Sequence, residues 1–152
     1  MKAPLITISI VSHEQAELAF LLLRDVARLG RDDLQILYTM NVPEPLPPEA
    51  ADWPITVVRN ASPHGFARNH NAAFRAAQAG YFCVLNPDLR IHADPFPALL
   101  PLFDEPRVGA ASPSIVDASG RAEDHARRFP TFRSLAAKLV RADLDPDYEE
   151  SG

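Results

Sequence analysis

The first apolar run, Leu5 to Val11, carries the β-branched residues Ile6, Thr7, Ile8, Ile10 and Val11, the composition of a strand buried on both faces. It ends at Ser12-His13. From Glu14 to Leu29 the apolar positions Leu18, Leu22, Val26 and Leu29 recur at helical spacing, with Glu14 and Glu17 suited to the first turn and Gly30 to the stop. Leu34 to Thr39 reads as a second strand, Asn41 to Pro54 as a proline-rich ordered connector, and Ile55 to Val58 as a short third strand. After a turn over 60–65, Phe66 to Ala79 places Phe66, Ala73, Phe74 and Ala77 on one helical side, with Gly80 as a stop. Tyr81 to Leu85 is another apolar strand and delivers Asn86-Pro87-Asp88. Asp94-Pro95 has the form of a cap and first-turn proline opening a short helix through Phe103. Val108 to Ala111 reads as a further strand, Asp117 to Gly120 as a turn, and Phe132 to Val140 as a last helix.

Strands alternating with helices predict an α/β fold with a mostly parallel central sheet flanked by helices. Ligands of such sheets bind beyond the carboxyl ends of the strands, here Ser12-His13, Met40-Asn41 and Asn86 to Asp88. The length of 152 residues allows one domain, expected over 1–142, followed by an acidic tail over 143–152. A net charge of -5 leaves no basic field for phosphate backbones, so no nucleic-acid partner is expected. Cys83 is the single cysteine, and with no run long enough to span a membrane or act as an export signal the expectation is a cytoplasmic chain without disulfide or structural zinc. Cys83 reads as a small buried hydrophobe, Ser112 and Ser114 lack a nucleophile-elbow pattern, and no phosphate-loop motif occurs.

Three ordered motifs carry a resemblance. They are Ile8 to His13, His64-Gly65-Phe66-Ala67-Arg68-Asn69-His70-Asn71, and Val84-Leu85-Asn86-Pro87-Asp88. Val108 to Pro113, Asp117 to Gly120 and Arg128-Phe129-Pro130-Thr131 follow in order. Over Leu5 to Val140 the chain resembles the family 2 inverting glycosyltransferases of GT-A fold, in particular the rhamnosyltransferase-like branch. The resemblance implies a nucleotide-diphosphate sugar as donor, a hydroxyl acceptor in a cell-envelope polysaccharide, a divalent cation (magnesium or manganese), and a cytoplasmic, membrane-associated site of work.

Breaking the bond between a sugar and a diphosphate needs the diphosphate charge neutralised, and a hard cation held by carboxylate oxygen does this. Asp88 is placed for that task at a strand end; the alternative is a turn or capping Asp, and the resemblance favours the metal role. Arg68 and Asn71, three apart on one helix, share a face and suit phosphate, or are a solvated Arg and a locally satisfied Asn. Gly65 serves a tight turn or lets a ligand approach closely. Ser12 and His13 touch base or ribose, or are a turn Ser and an exposed His. Asn41 and Asn86 complete the donor-side set at their strand ends.

Two departures from the family pattern stand out. Met40 occupies the position after the second strand where an Asp commonly contacts the base. The family's general base comes from a later acceptor-side carboxylate motif, and the chain reaches Gly152 before it, Glu149 and Glu150 being poor substitutes. The expectation is therefore a donor-binding portion, a shortened GT-A fold with an exposed apolar face and a tendency to homodimerise. The second reading is a non-catalytic nucleotide-binding or protein-interaction module with a degenerate GT-A fold. A nucleotidyltransferase is the third, opposed by the absent glycine-rich phosphate loop.

Overall fold

In the computed structural model, which describes residues 3–46, 50, 53–117 and 119–121, the four apolar runs form β1 (Ile6–Ser12), β2 (Leu34–Met40), β3 (Ile55–Arg59) and β4 (Tyr81–Leu85). The pairings among these four strands are all parallel, in the order β3-β2-β1-β4, with Ile8 beside Ile36 on one side and Cys83 on the other. The chain steps from β1 outward to β3 and then crosses back to lay β4 on the far side of β1. That reversal puts the topological switch point between the carboxyl ends of β1 and β4, where sheets of this kind bind ligands.

Period-two alternation divides β1 into two faces. Ile6, Ile8 and Ile10 are almost fully buried, as are Ala19, Leu22, Leu23 and Val26 of α1 (Ala16–Arg28), and Phe20 of α1 packs on Tyr38, the register partner of Ile10. Each such aliphatic chain contributes about 1.5 to 3 kcal/mol. The buried stripe of α1 includes Ala19 and Leu23 and leaves Leu18 exposed, a shift from the expected one. Leu29 ends the helix and Gly30 follows at φ 65°, the left-handed turn expected of it.

The other face of β1 is polar. Thr7 and Ser9 are fully buried there, Thr7 donating to Gln35 Oε1 at 2.7 Å and Ser9 pairing with His70 Nδ1 at 2.8 Å. The covering helix, α2 (Phe66–Arg75), therefore buries Asn69, His70 and Ala73, while Phe66 and Phe74, expected inside, are 63% and 61% exposed. Phe74 keeps an edge contact with Phe82 of β4. The helix also stops at Arg75 rather than Ala79, because Gln35 takes its next backbone groups: Gln78 N–H donates to Gln35 Oε1 at 2.8 Å, and Gln35 Nε2 donates to the Ala76 carbonyl at 3.3 Å.

The chain divides into two units, Met1–Phe96 and Pro97–Gly152. Asp94 Oδ1 accepts from Phe96 N–H at 2.9 Å, the expected cap, and α3 (Phe96–Leu99) passes into a 3-10 turn over Leu100–Asp104 that holds Pro101. In the second unit Val108 to Ala111 is not a strand: Val108 N–H closes a turn on the Glu105 carbonyl at 2.9 Å, and Gly109 and Ala110 are exposed. The turn at Asp117 to Gly120 is present, its Asp117 Oδ1 accepting from Ser119 N–H, Ser119 Oγ–H and Arg121 N–H. The expected helix over 132–140, the Arg128 to Thr131 motif and the acidic tail lie outside the described residues.

Candidate functional site

Three of the four strands run directly into an asparagine, Asn41 after β2, Asn60 after β3 and Asn86 after β4. The first two meet. Asn41, 5% exposed, accepts on Oδ1 from Asn60 Nδ2 at 2.9 Å, Asn69 Nδ2 at 3.0 Å and His64 N–H at 2.8 Å. Its Nδ2 reaches the His64 carbonyl and His13 Nδ1, each at 2.9 Å. Asn60 Nδ2 also donates to Asn69 Oδ1 at 2.7 Å, and Asn69 Nδ2 to the His64 carbonyl at 3.0 Å. The network ties the ends of β1, β2 and β3 to the start of α2. A hydrogen-bonded cluster with Asn41 and Asn69 buried at its centre holds its members in one arrangement.

Beside it, Ser12 is fully buried and donates from Oγ to Glu44 Oε2 at 2.8 Å. Glu44 Oε1 accepts from Glu14 N–H at 3.0 Å, and Glu14 sits at φ 59°, a left-handed conformation uncommon for a residue with a side chain. A cleft of about 420 Å³ opens there, with Glu14, Glu17 and Glu44 in its wall. Three carboxylates repel phosphate, so the anionic part of a ligand belongs elsewhere on this edge.

The cationic side of the edge is the start of α2. Gly65 is its N-cap at φ −66°, so no left-handed conformation requires a glycine there, and a Cβ would meet open space. The first-turn N–H groups of α2, free of intrahelical partners, favour an anion, and Arg68 and Asn71 both stand exposed on this helix without a hydrogen bond or ion pair among the described residues.

β4 delivers Asn86 and Asp88, both exposed, into a turn closed by Leu89 N–H on the Asn86 carbonyl at 3.2 Å. Asp25 of α1 anchors the loop that follows. Its buried carboxylate takes a fork from Arg90 (2.6 and 3.1 Å), the Ile91 N–H at 3.1 Å and Arg28 at 2.8 Å. The Arg90 hydrogen bond leads in holding the Asp25 carboxyl below its ordinary value, against the opposing effect of burial. Arg31 likewise joins Asp33 and Asp94, 5.4 Å over the Phe96 ring.

The sequence-nominated residues thus divide. Ser12, His13, Asn41, Gly65, Asn86 and Asp88 lie at or just past the carboxyl edge, and Arg68 and Asn71 in the first turns of α2 that open from it. Asn41 and Ser12 turn their side chains inward, whereas His13, Arg68, Asn71, Asn86 and Asp88 face solvent. Asn60, His64, Asn69, Glu44 and the Asp25–Arg90 pair were not nominated. The strand-then-asparagine repeat was a signal for Asn60; the others became visible only when long-range partners met. Met40, the last residue of β2, is 4% exposed, so it offers no side chain to a ligand.

Asp88 makes no hydrogen bond or ion pair among the described residues, leaving its carboxylate oxygens available to a cation. Among those residues no group of three or more acidic, His or Cys side chains is arranged to hold a metal ion. One carboxylate still fits a magnesium-type ion, which completes its shell with phosphate and water.

A parallel sheet with polar residues at its strand ends is an α/β sheet of the kind that takes ligands at its carboxyl edge. Residues 41–145 match the family described as Glycosyl transferase family 2, and the chain belongs to that family. Among solved structures it is similar to the mannosyltransferase PcManGT from Pyrobaculum calidifontis, in complex with GDP-Man and Mn2+. Identity is 19% and TM-score 0.51, over 61% of this chain and 30% of that one. Two crystal structures of S. aureus TarS are similar at 11% identity with TM-scores of 0.57 and 0.56, covering 66% of this chain and 32% and 20% of theirs. The fold is that of the GT-A nucleotide-sugar transferases, and the chain spans a third or less of these structures' length. No curated protein matches it by sequence.

Proposed function

We propose that the carboxyl edge of the sheet binds a nucleotide-diphosphate sugar and that this chain is the donor-binding part of a glycosyltransferase acting on a hydroxyl acceptor. The observation that carries it is the gathering of an unpaired Asp88, an exposed Arg68, the open first turn of α2 and the His13–Asn41 cluster along one edge of a family 2 sheet. A rhamnosyltransferase-like chemistry in cell-envelope polysaccharide synthesis, on the cytoplasmic side of a membrane, belongs to the same proposal on the strength of motif order. Among the described residues no helix is long and apolar enough to cross a membrane.

In this reading Arg68 and the first-turn N–H groups of α2 hold phosphate oxygens, and Asn71 orients the same group from one turn further along. Asp88 holds a divalent cation, as the Mn2+ of PcManGT suggests. When bound, that ion neutralises charge developing on the diphosphate as the sugar leaves. The base that deprotonates the acceptor hydroxyl is assigned to an acceptor-side segment. Burial of Met40 favours the second reading, a nucleotide-binding or interaction module without transfer.

Equilibrium dialysis against UDP-, GDP- and dTDP-sugars, with and without manganese, tests the proposal. One donor retained in the presence of the metal is expected. Retention of none by the folded chain would contradict it.

A further inference from the structure

The orientation of a side-chain amide is ordinarily settled by its neighbours, and for Asn41 two of those are backbone groups of one residue. The His64 N–H can only donate, and it points to Oδ1 at 2.8 Å; the His64 carbonyl can only accept, and it lies 2.9 Å from Nδ2. The amide has a single solution. One hydrogen of Nδ2 goes to the His64 carbonyl, and the second faces His13 Nδ1 at 2.9 Å. An amide N–H offers no lone pair, so His13 Nδ1 must accept, and the ring proton sits on Nε2. With Nδ1 turned inward and the ring exposed, Nε2–H stands on the outer side of the ring, at the end of β1.

Resting on the donor-site reading above, we infer that Asn41 is a positioning residue that holds His13 as an Nε2–H donor, and that the ligand atom meeting His13 is a hydrogen-bond acceptor of the nucleotide. A nucleobase carbonyl and a phosphate oxygen share that chemistry. Asn60 and Asn69 brace the device by occupying the rest of Asn41 Oδ1. The end of β2 thus acts through the end of β1 while its own Met40 stays buried.

Long-range proton–nitrogen correlation spectra of histidine-labelled protein read the tautomer directly in the free wild-type chain, with His13→Gln identifying the signal. A protonated Nε2 beside an unprotonated Nδ1 is expected, and in Asn41→Asp, whose carboxylate only accepts, the proton moves to Nδ1. A wild-type ring protonated at Nδ1, or averaging between tautomers, overturns the inference even if the variant fails to fold. Adding a nucleoside, inorganic pyrophosphate or the magnesium nucleotide then locates the acceptor. Movement of Nε2 with the nucleoside names the base, and movement with pyrophosphate names the phosphate. Binding should weaken roughly fivefold to tenfold in His13→Leu and recover in His13→Gln, which keeps an N–H. Binding that leaves Nε2 unmoved refutes the inference and spares the donor site; the dialysis panel alone decides that site.

Discussion

Burial of His70 under the polar face of β1 has a pH signature. Desolvation depresses its pKa below the ordinary histidine value, and its Nδ1 is engaged by Ser9. The unfolded chain therefore binds more protons than the folded one as pH drops through about 6.5, so the stability from this site is complete above that value and is lost toward the lowered folded value. Denaturant unfolding at about pH 7 and pH 5 should show the wild type losing more stability on acidification than His70→Gln. An equal pH slope in both would refute this role. Sequence pattern did not reveal His70, because Phe66 and Phe74 made the more apolar stripe and only the meeting with Ser9 shows why the polar side of α2 faces inward. Asn41 and Asp88 could be singled out as candidates because each directly follows a strand or its short turn. Cys83, expected to be a small buried hydrophobe, is half-buried, and desolvation pushes its thiol up to about 11.

At the scale of elements, the loop carrying Asp88 is held by a charge inside α1. Asp25 is 2% exposed and gathers Arg90, Ile91 N–H and Arg28. Removing a carboxylate that accepts several charge-assisted hydrogen bonds costs about 2 kcal/mol, discounted here for the exposure of Arg90. Asp25→Ala should lose about that much in urea unfolding and also loosen binding at Asp88; a change within about 0.5 kcal/mol would show that the anchor is unimportant. Helical spacing located α1 correctly, but an Asp on its inner side carries no periodic signal. The same limit explains α2, whose end is set by Gln35 from a strand 41 residues earlier than its acceptor at Ala76. Val108 to Ala111 had strand-like composition, yet a turn on Glu105 took its first N–H.

Over the whole molecule, alternation of elements made the α/β class readable, and the carboxyl-edge rule singled out the strand ends on which the proposed donor site rests. The order β3-β2-β1-β4 was not readable, since it depends on which strands pair at long range. That order matters for the proposed function, because it brings the ends of β1 and β4 side by side at the switch point, the edge to which the proposal assigns His13 and Asp88. Calorimetric titration of UDP, GDP and dTDP with manganese into the wild-type chain and a folded Asp88→Asn variant tests this account most directly. The account predicts that one nucleotide binds the wild type in a metal-dependent way and binds the variant about tenfold or more weakly. Equal affinity in both proteins, or no binding to the folded wild type, would contradict it.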